Sequence, residues 1–273
     1  MDKRPLLALL LILLVAECFA PPCLAHVGTG IAVDPKGRIW FADTSGNRIW
    51  RIETDGRATR VASEIHSNVL VPAPDGGVFV ENDRHTNRWP SGILHVSESG
   101  EIAPAGEDSG VMTLAGEQAA AAARGLSDVN AAVHAPEGSL VVRSCQSIFR
   151  VPHQGAPVEI EAAADAASLG RDPADCQRTV GLALDAGGNL YLANYSKRTL
   201  FRIGPRGDVR AILRATSPWT PTGVTVAGNT IYVLERYGHP YGILSGASGL
   251  PLPRFRVRKI DADGKITTLA RVG

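Results

Sequence analysis

A phrase of four short strands and three turns, repeated along the chain, constrains the fold more than any other feature. Its first copy runs from Gly28 to Ala62. Apolar runs such as Ile39–Ala42 are separated by turns such as Asp34–Gly37. Runs this short, bounded by Gly, Pro and Asp, are typical of strands, because a buried helix needs a longer apolar stretch. The first copy therefore predicts one four-stranded sheet.

Four further copies of the phrase follow, with first strands beginning near Asn68, Asn130, Val180 and Thr222. One such sheet cannot bury both of its faces, and a repeat of about 40 to 50 residues is typical of propeller blades. The sequence therefore predicts an all-β fold, a β-propeller of four-stranded blades with five blades legible. The chain starts on a first strand and ends on a fourth. We therefore expect side-chain packing between the first and fifth blades to close the ring.

Six blades are the alternative. The long connection 107–127 contains an apolar run, 111–116, that is similar to the closing strand of a blade. The same run is also interpretable as the last strand of the second blade, which keeps the number at five.

Four phrases of the repeat carry a resemblance to known proteins: Thr29–Asp34, Trp40–Asp43, Asn47–Ile49 and Thr222–Val224. They resemble the NHL-repeat propellers and, more broadly, the gluconolactonase/regucalcin-like superfamily. The resemblance implies a propeller scaffold, for which six blades are usual among the relatives. A repeat family specifies a scaffold and says little about activity.

The N-terminal segment has the pattern of a secretory signal peptide. A charged start, Asp2–Arg4, precedes the apolar run Leu6–Ala16, and Cys23–Ala25 matches the small-x-Ala pattern of a signal-peptide cleavage site. The apolar run is short for a bilayer span. We therefore predict a signal peptide over 1–25 and a single propeller domain over 26–273, exported to the periplasm or the extracellular space. A lipoprotein and an uncleaved membrane anchor are the alternatives; after cleavage no transmembrane segment is expected.

Charge and cysteine content agree with an exported globular domain. The formal net charge is +1 and charged residues make up 20% of the chain, with no basic stripe, so nucleic acid is not an expected partner. Cys145 and Cys176 remain after removal of the signal. A single cysteine pair in an exported protein favours a disulfide, the alternative being two unrelated buried thiols.

The lengths of the loops distinguish the two faces of the predicted propeller. Turns between first and second strands, and between third and fourth, share one face and are tight. The opposite face, called here the loop-rich face, carries every insertion: 82–91, 236–254, 107–127 and 163–178. Binding residues concentrate on loops held by a rigid scaffold. We therefore expect function on the loop-rich face.

One column of residues lies just before the first strands: Thr29, Asn68, Asn130, Val180 and Thr222. The resemblance implies that this column holds divalent-cation ligands, which in the relatives are a Glu, two Asn and an Asp. Asn68 and Asn130 match the amide type, whereas the carboxylates are missing. Asp128 is close enough in sequence to supply one. Calcium prefers several oxygens, including charged ones, so the two amides alone predict a weak or lost metal site.

A second column ends the second strands, and it consists of Asp43, Asn82, Ser144, Asn194 and Glu235, with Arg143 adjacent. These residues are candidate ligand-binding groups, and Asp43 and Glu235 are candidate replacement acids for a metal. The alternative is that they bond to the turn that follows, as Asp and Asn often do. His85 and His239, in the insertions, are further candidate binding residues.

Two functions are compatible with these residues. The leading hypothesis is an exported binding propeller, without catalysis, that takes a small molecule, a glycan or a protein on its loop-rich face. The alternative is a lactonase- or esterase-like hydrolase that uses Ca²⁺ or another divalent cation at a rebuilt site in the central channel. Missing carboxylates in the first column favour the binding propeller.

Overall fold

The computed structural model confirms the all-β fold predicted from the repeats. It describes residues 30–82, 88–105, 125–126, 129–134, 139–144, 147–152, 154–160, 179–238 and 254–273. Every helix or strand element in these ranges is a strand. Among the described residues, no helix is long and apolar enough to cross a membrane.

Five four-stranded antiparallel sheets form the blades, and each uses four consecutive strands of the chain. Blade 1 contains β1 (Ile31–Val33), β2 (Ile39–Asp43), β3 (Arg48–Ile52) and β4 (Ala58–Ser63). Blade 2 contains β5 (Leu70–Pro72), β6 (Val78–Asn82), β7 (Gly92–Val96) and β8 (Ile102–Pro104). Blade 3 contains β9 (Val129–His134), β10 (Leu140–Ser144), β11 (Ser147–Val151) and β12 (Val158–Glu159).

Blade 4 contains β13 (Thr179–Leu184), β14 (Leu190–Asn194), β15 (Thr199–Ile203) and β16 (Val209–Arg214). Blade 5 contains β17 (Trp219–Ala227), β18 (Thr230–Tyr237), β19 (Phe255–Ile260) and β20 (Ile266–Val272). First strands of neighbouring blades contact each other: β1 touches β5 and β17, and β13 touches β9 and β17. The five sheets thus form a β-propeller.

The hydrophobic core consists of the interfaces between blades. In β2, Trp40 and Ala42 pack against blade 2, whereas Ile39 and Phe41 pack against blade 5. Successive side chains of a strand point to opposite faces, so a strand between two neighbours is buried on both. For this reason all five residues of β2, and all five of β14, are buried.

Side-chain packing closes the ring between blades 1 and 5, as predicted. Ile31 and Phe41 form one cluster with Leu234 and Phe255, and the Phe41 and Phe255 ring centroids are 6.0 Å apart. Each sheet takes all its strands from one stretch of chain, so no strand is exchanged at this seam.

The fourth described strand of blade 2 is β8, and the interpretation of the run 111–116 as that strand is not tested. That run, and the alternative of a sixth blade built on it, lie outside the described residues. The tight turns follow their predicted chemistry. Gly37 and Gly188 both adopt φ +77° in the first turns of blades 1 and 4, a conformation that residues with a Cβ rarely adopt.

Candidate functional site

Backbone bulges mark the first column of predicted site residues in three blades. The cross-strand register skips Asn130 in β9, Val180 in β13 and Thr222 in β17. Each of these residues therefore lies within the first strand of its blade rather than before it. Each is an extra residue opposite the end of the second strand. A bulge bends its strand and re-aims the side chain, and bulges are frequent next to binding sites. The sequence could not show this, because the register depends on which atoms of the partner strand are bonded.

Glycines beside these bulges allow the first strands to approach closely. A Cβ on Gly181 would lie 2.8 Å from Gly223 Cα in the neighbouring blade. A Cβ on Gly30 would lie 2.4 Å from Leu70 Cδ1 and 3.2 Å from the Asn68 carbonyl oxygen. Real side chains do not approach so closely, so the ring of first strands has this diameter only because these positions are glycine.

In blades 1 and 4 the second-column residues bond to the turn that follows them. Asp43 Oδ1 accepts a hydrogen bond from Gly46 N at 2.8 Å, and Asp43 Oδ2 accepts one from Arg48 Nε at 2.7 Å. Asn194 Oδ1 accepts a bond from Lys197 N at 2.9 Å. Both Asp43 and Asn194 are buried. These contacts fit the turn-capping alternative, since the same amide of the turn is bonded in both blades.

Asn82 connects two loops of the loop-rich face. Its Oδ1 accepts a hydrogen bond from His66 N at 3.0 Å, in the connection between blades 1 and 2. Its Nδ2 donates to the Pro90 carbonyl oxygen at 2.7 Å, just before β7. Asn82 is fully buried, so both bonds stabilise the loops from beneath.

Glu235 belongs to a buried ion pair. It lies opposite Arg256 across β18 and β19, and its Oε2 accepts a hydrogen bond from Arg256 Nε. Arg258 Nη1 lies 3.7 Å from Oε1 of the same carboxylate, and the Arg256 guanidinium carbon lies 4.4 Å from the Trp219 ring centroid. Burial raises the pKa of Glu235, whereas Arg256 and Arg258 oppose that rise.

Arg236, which the sequence did not single out, is the neighbouring buried charge. In blades 1, 2, 3 and 4 the second strand ends at the column residue, but β18 continues through Arg236 to Tyr237. The extra length is stabilised by an edge-to-face contact between Trp219 and Tyr237, whose ring centroids are 5.3 Å apart. These two aromatic residues, which flank the end of a predicted strand, were the sequence signal for a longer pair of strands.

Other predicted site residues lie outside this description. Asp128, His85 and His239 are not among the described residues, and of Arg143 and Asn130 only the backbone is described. Cys145 and Cys176 are likewise outside it, so the disulfide stays a prediction. Within the described ranges, no group of three or more His, Cys, Asp and Glu side chains is placed to hold a metal ion.

Comparison with known proteins gives similarity of fold only. No protein-family model matches the chain, and no curated protein matches it. Solved structures do match, among them virginiamycin B lyase from Staphylococcus aureus, with 16% identity over 89% of this chain and 70% of that one, and a TM-score of 0.36.

Two further solved structures are similar at the same level. Regucalcin from Agrobacterium tumefaciens, a calcium-binding protein, shares 16% identity over 92% of this chain and 74% of that one, with a TM-score of 0.38. A gluconolactonase from Xanthomonas campestris shares 14% identity over 79% of this chain and 84% of that one, with a TM-score of 0.42. At these identities and TM-scores the neighbours carry no argument about family or activity.

Proposed function

We propose that this protein is an exported binding propeller that receives a small molecule, a glycan or a protein on its loop-rich face, without a divalent-metal centre. Buried ion pairing of Asp43 and Glu235, the two candidate acids among the described residues, carries the proposal. Asp43 is bonded to Arg48, and Glu235 is bonded to Arg256. Arginines thus occupy one oxygen of each carboxylate. Glu235 Oε1 makes no hydrogen bond among the described residues, but Arg258 Nη1 lies 3.7 Å from it, so a cation there would meet a guanidinium.

The electrostatic balance around these acids also opposes a metal. Asp43 and Glu235 contribute two negative charges among the described side chains. The nearby guanidiniums contribute four positive ones, those of Arg48, Arg236, Arg256 and Arg258. Calcium and magnesium prefer several oxygen ligands with net negative charge. The described residues therefore do not fit a divalent cation, and no catalytic step is derived through one.

Calcium titration followed by thermal melting tests this proposal. A metal that binds only the folded state raises the melting temperature as its concentration rises. We expect a flat melting temperature across a CaCl2 titration matched in ionic strength with NaCl. A rise in melting temperature with calcium that is lost in the Asn68→Ala/Asn130→Ala double variant would instead support the metal-dependent hydrolase.

A further inference from the structure

Arg236 is a buried cation, and two of its three guanidinium nitrogens have no hydrogen-bond partner among the described residues. It is 5% exposed, and its Nε and Nη1 atoms make no hydrogen bond in the part of the chain that the structure describes. An arginine does not lose its proton in a protein, so the charge stays in place. Burial lowers the pKa of Arg236, because the charged guanidinium is less stable when it is removed from water.

Strand geometry separates Arg236 from the nearest acid in the sequence. Arg236 and Glu235 are adjacent, so they point to opposite faces of β18. Glu235 lies on the face where Arg256 is its partner across the strand pair. Arg236 shares its face with Leu234, which packs against blade 1. The acid next to Arg236 in the chain therefore cannot neutralise it.

Across the seam between blades 5 and 1, Asp43 is the charge that acts on Arg236. Asp43 follows Phe41 on the same face of β2, as Arg236 follows Leu234 on β18, so both lie at the loop-rich end of that seam. Asp43 acts on Arg236 through space, together with Tyr195. The Asp43 carboxylate oxygens accept hydrogen bonds from Gly46 and Arg48. Among the described residues, the seam therefore holds a guanidinium whose Nε and Nη1 donors have no acceptor.

We infer that Arg236 binds an oxyanion, a carboxylate or phosphate group of a ligand, at the loop-rich end of the seam between blades 5 and 1. A guanidinium presents N–H donors in a planar fork that matches the oxygens of either group. A buried, unpaired donor gains most from such a bond, because it has already lost its water. The inference rests on the proposed binding face and names the chemistry it recognises there.

The test titrates the native protein with sodium acetate and, separately, with sodium phosphate, against sodium chloride of equal ionic strength. Thermal melting and isothermal calorimetry are the readouts. We expect one of the two oxyanions to bind saturably and to raise the melting temperature. A response to acetate assigns the site to carboxylates, and a response to phosphate assigns it to phosphate groups.

Arg236→Met separates specific binding from general salt effects. Removing an unpaired buried charge should raise the melting temperature of the anion-free protein by about 2 to 4 °C, whereas the anion-dependent rise should disappear. Arg236→Lys keeps the charge without the planar fork, so we expect part of the anion effect to remain. Arg210→Met is the matched control, since the Arg210 side chain is 72% exposed on the outer strand of blade 4.

The same anion effect in native protein and in Arg236→Met would overturn the inference, as would the absence of saturable binding of either anion to the native protein. These outcomes are independent of the calcium experiment. Flat calcium curves without anion binding leave the metal-independent propeller in place and remove the oxyanion site. Calcium stabilisation removes the proposed function, and the anion titration still decides the role of Arg236.

Discussion

Arg256 and Glu235 face each other across β18 and β19, and both are buried, with Glu235 0% exposed. The chain brings them together over 21 residues, past the long insertion of blade 5. Removing one partner of such a buried ion pair destabilises the folded protein, because the remaining charge then has neither water nor a partner.

Arg256→Met should destabilise the protein by about 3 kcal/mol, since it leaves Glu235 buried with only the more distant Arg258. The double variant Glu235→Met/Arg256→Met should recover most of that loss, because the fully buried carboxylate is then removed together with its partner. Urea unfolding of both variants measures the difference. Equal destabilisation of the single and double variants would show that Arg256 acts through its packing on Trp219 instead.

Gly181→Ala should lower the free energy of unfolding by about 1 to 3 kcal/mol, since its Cβ would overlap the neighbouring first strand. The contact is with backbone, which cannot rotate away as a side chain can. Gly187→Ala is the control, because there the nearest atoms belong to side chains, Asn189 Nδ2 and Asp185 Oδ1, and both lie at 3.3 Å. Similar urea midpoints for the two variants would contradict close packing of the first strands.

Asp34→Ala should cost about 3 kcal/mol, because this buried carboxylate accepts several charge-assisted bonds. They come from the amides of Lys36 and Arg38, from Arg38 Nε at 2.7 Å and from Trp40 Nε1 at 3.0 Å. Asp55→Ala is the matched control in an exposed turn, where the carboxylate accepts a bond from Arg57 N. Chemical denaturation of both variants checks the prediction, and equal losses would refute it.

Glu98 should make stability sensitive to acid. Hydrogen bonds from Lys36 and Arg38 lower its pKa from 4.5 to about 2. A carboxyl whose pKa is lower in the folded state stabilises fully above its unfolded pKa, and this contribution is lost as pH falls through the folded value. Glu98→Gln should therefore unfold at lower urea than the native protein at pH 7, and the gap should close between pH 4.5 and about 2.

Glu101→Gln, at an exposed position of the same turn region, is the control for this pH series and should follow the native curve. A gap between the native protein and Glu98→Gln that stays constant down to pH 2 would mean that Glu98 stabilises the turn by packing rather than by charge.

The strands themselves were predictable, because short-range chemistry defines them. In blade 1 the sequence predicted a strand over 39–42, and the structure has Ile39–Asp43. Turns that contain aspartate and glycine bound such runs. The residues that such turns need can be recognised in the sequence without knowing which strands are neighbours in space. Repetition of the phrase then determined the propeller.

The surroundings of the candidate site residues could be predicted only in part. The sequence identified Asp43 and Asn194 as equivalent strand ends, and a turn-capping role was one of its two interpretations. It could not show that Asn130, Val180 and Thr222 are bulge residues, since register depends on which atoms of the partner strand are bonded.

The sequence by itself determined the blades, their order and the face that carries the insertions, because turn residues and apolar runs act over a few positions. Only the tertiary structure decided that Glu235 is neutralised by Arg256. It also decided that two nitrogens of the buried Arg236 find no hydrogen-bond partner in the described part of the chain. The burial of Arg236 arises where the last blade meets the first. Charge pairing at such a seam depends on side chains far apart in the chain, which no local pattern can specify.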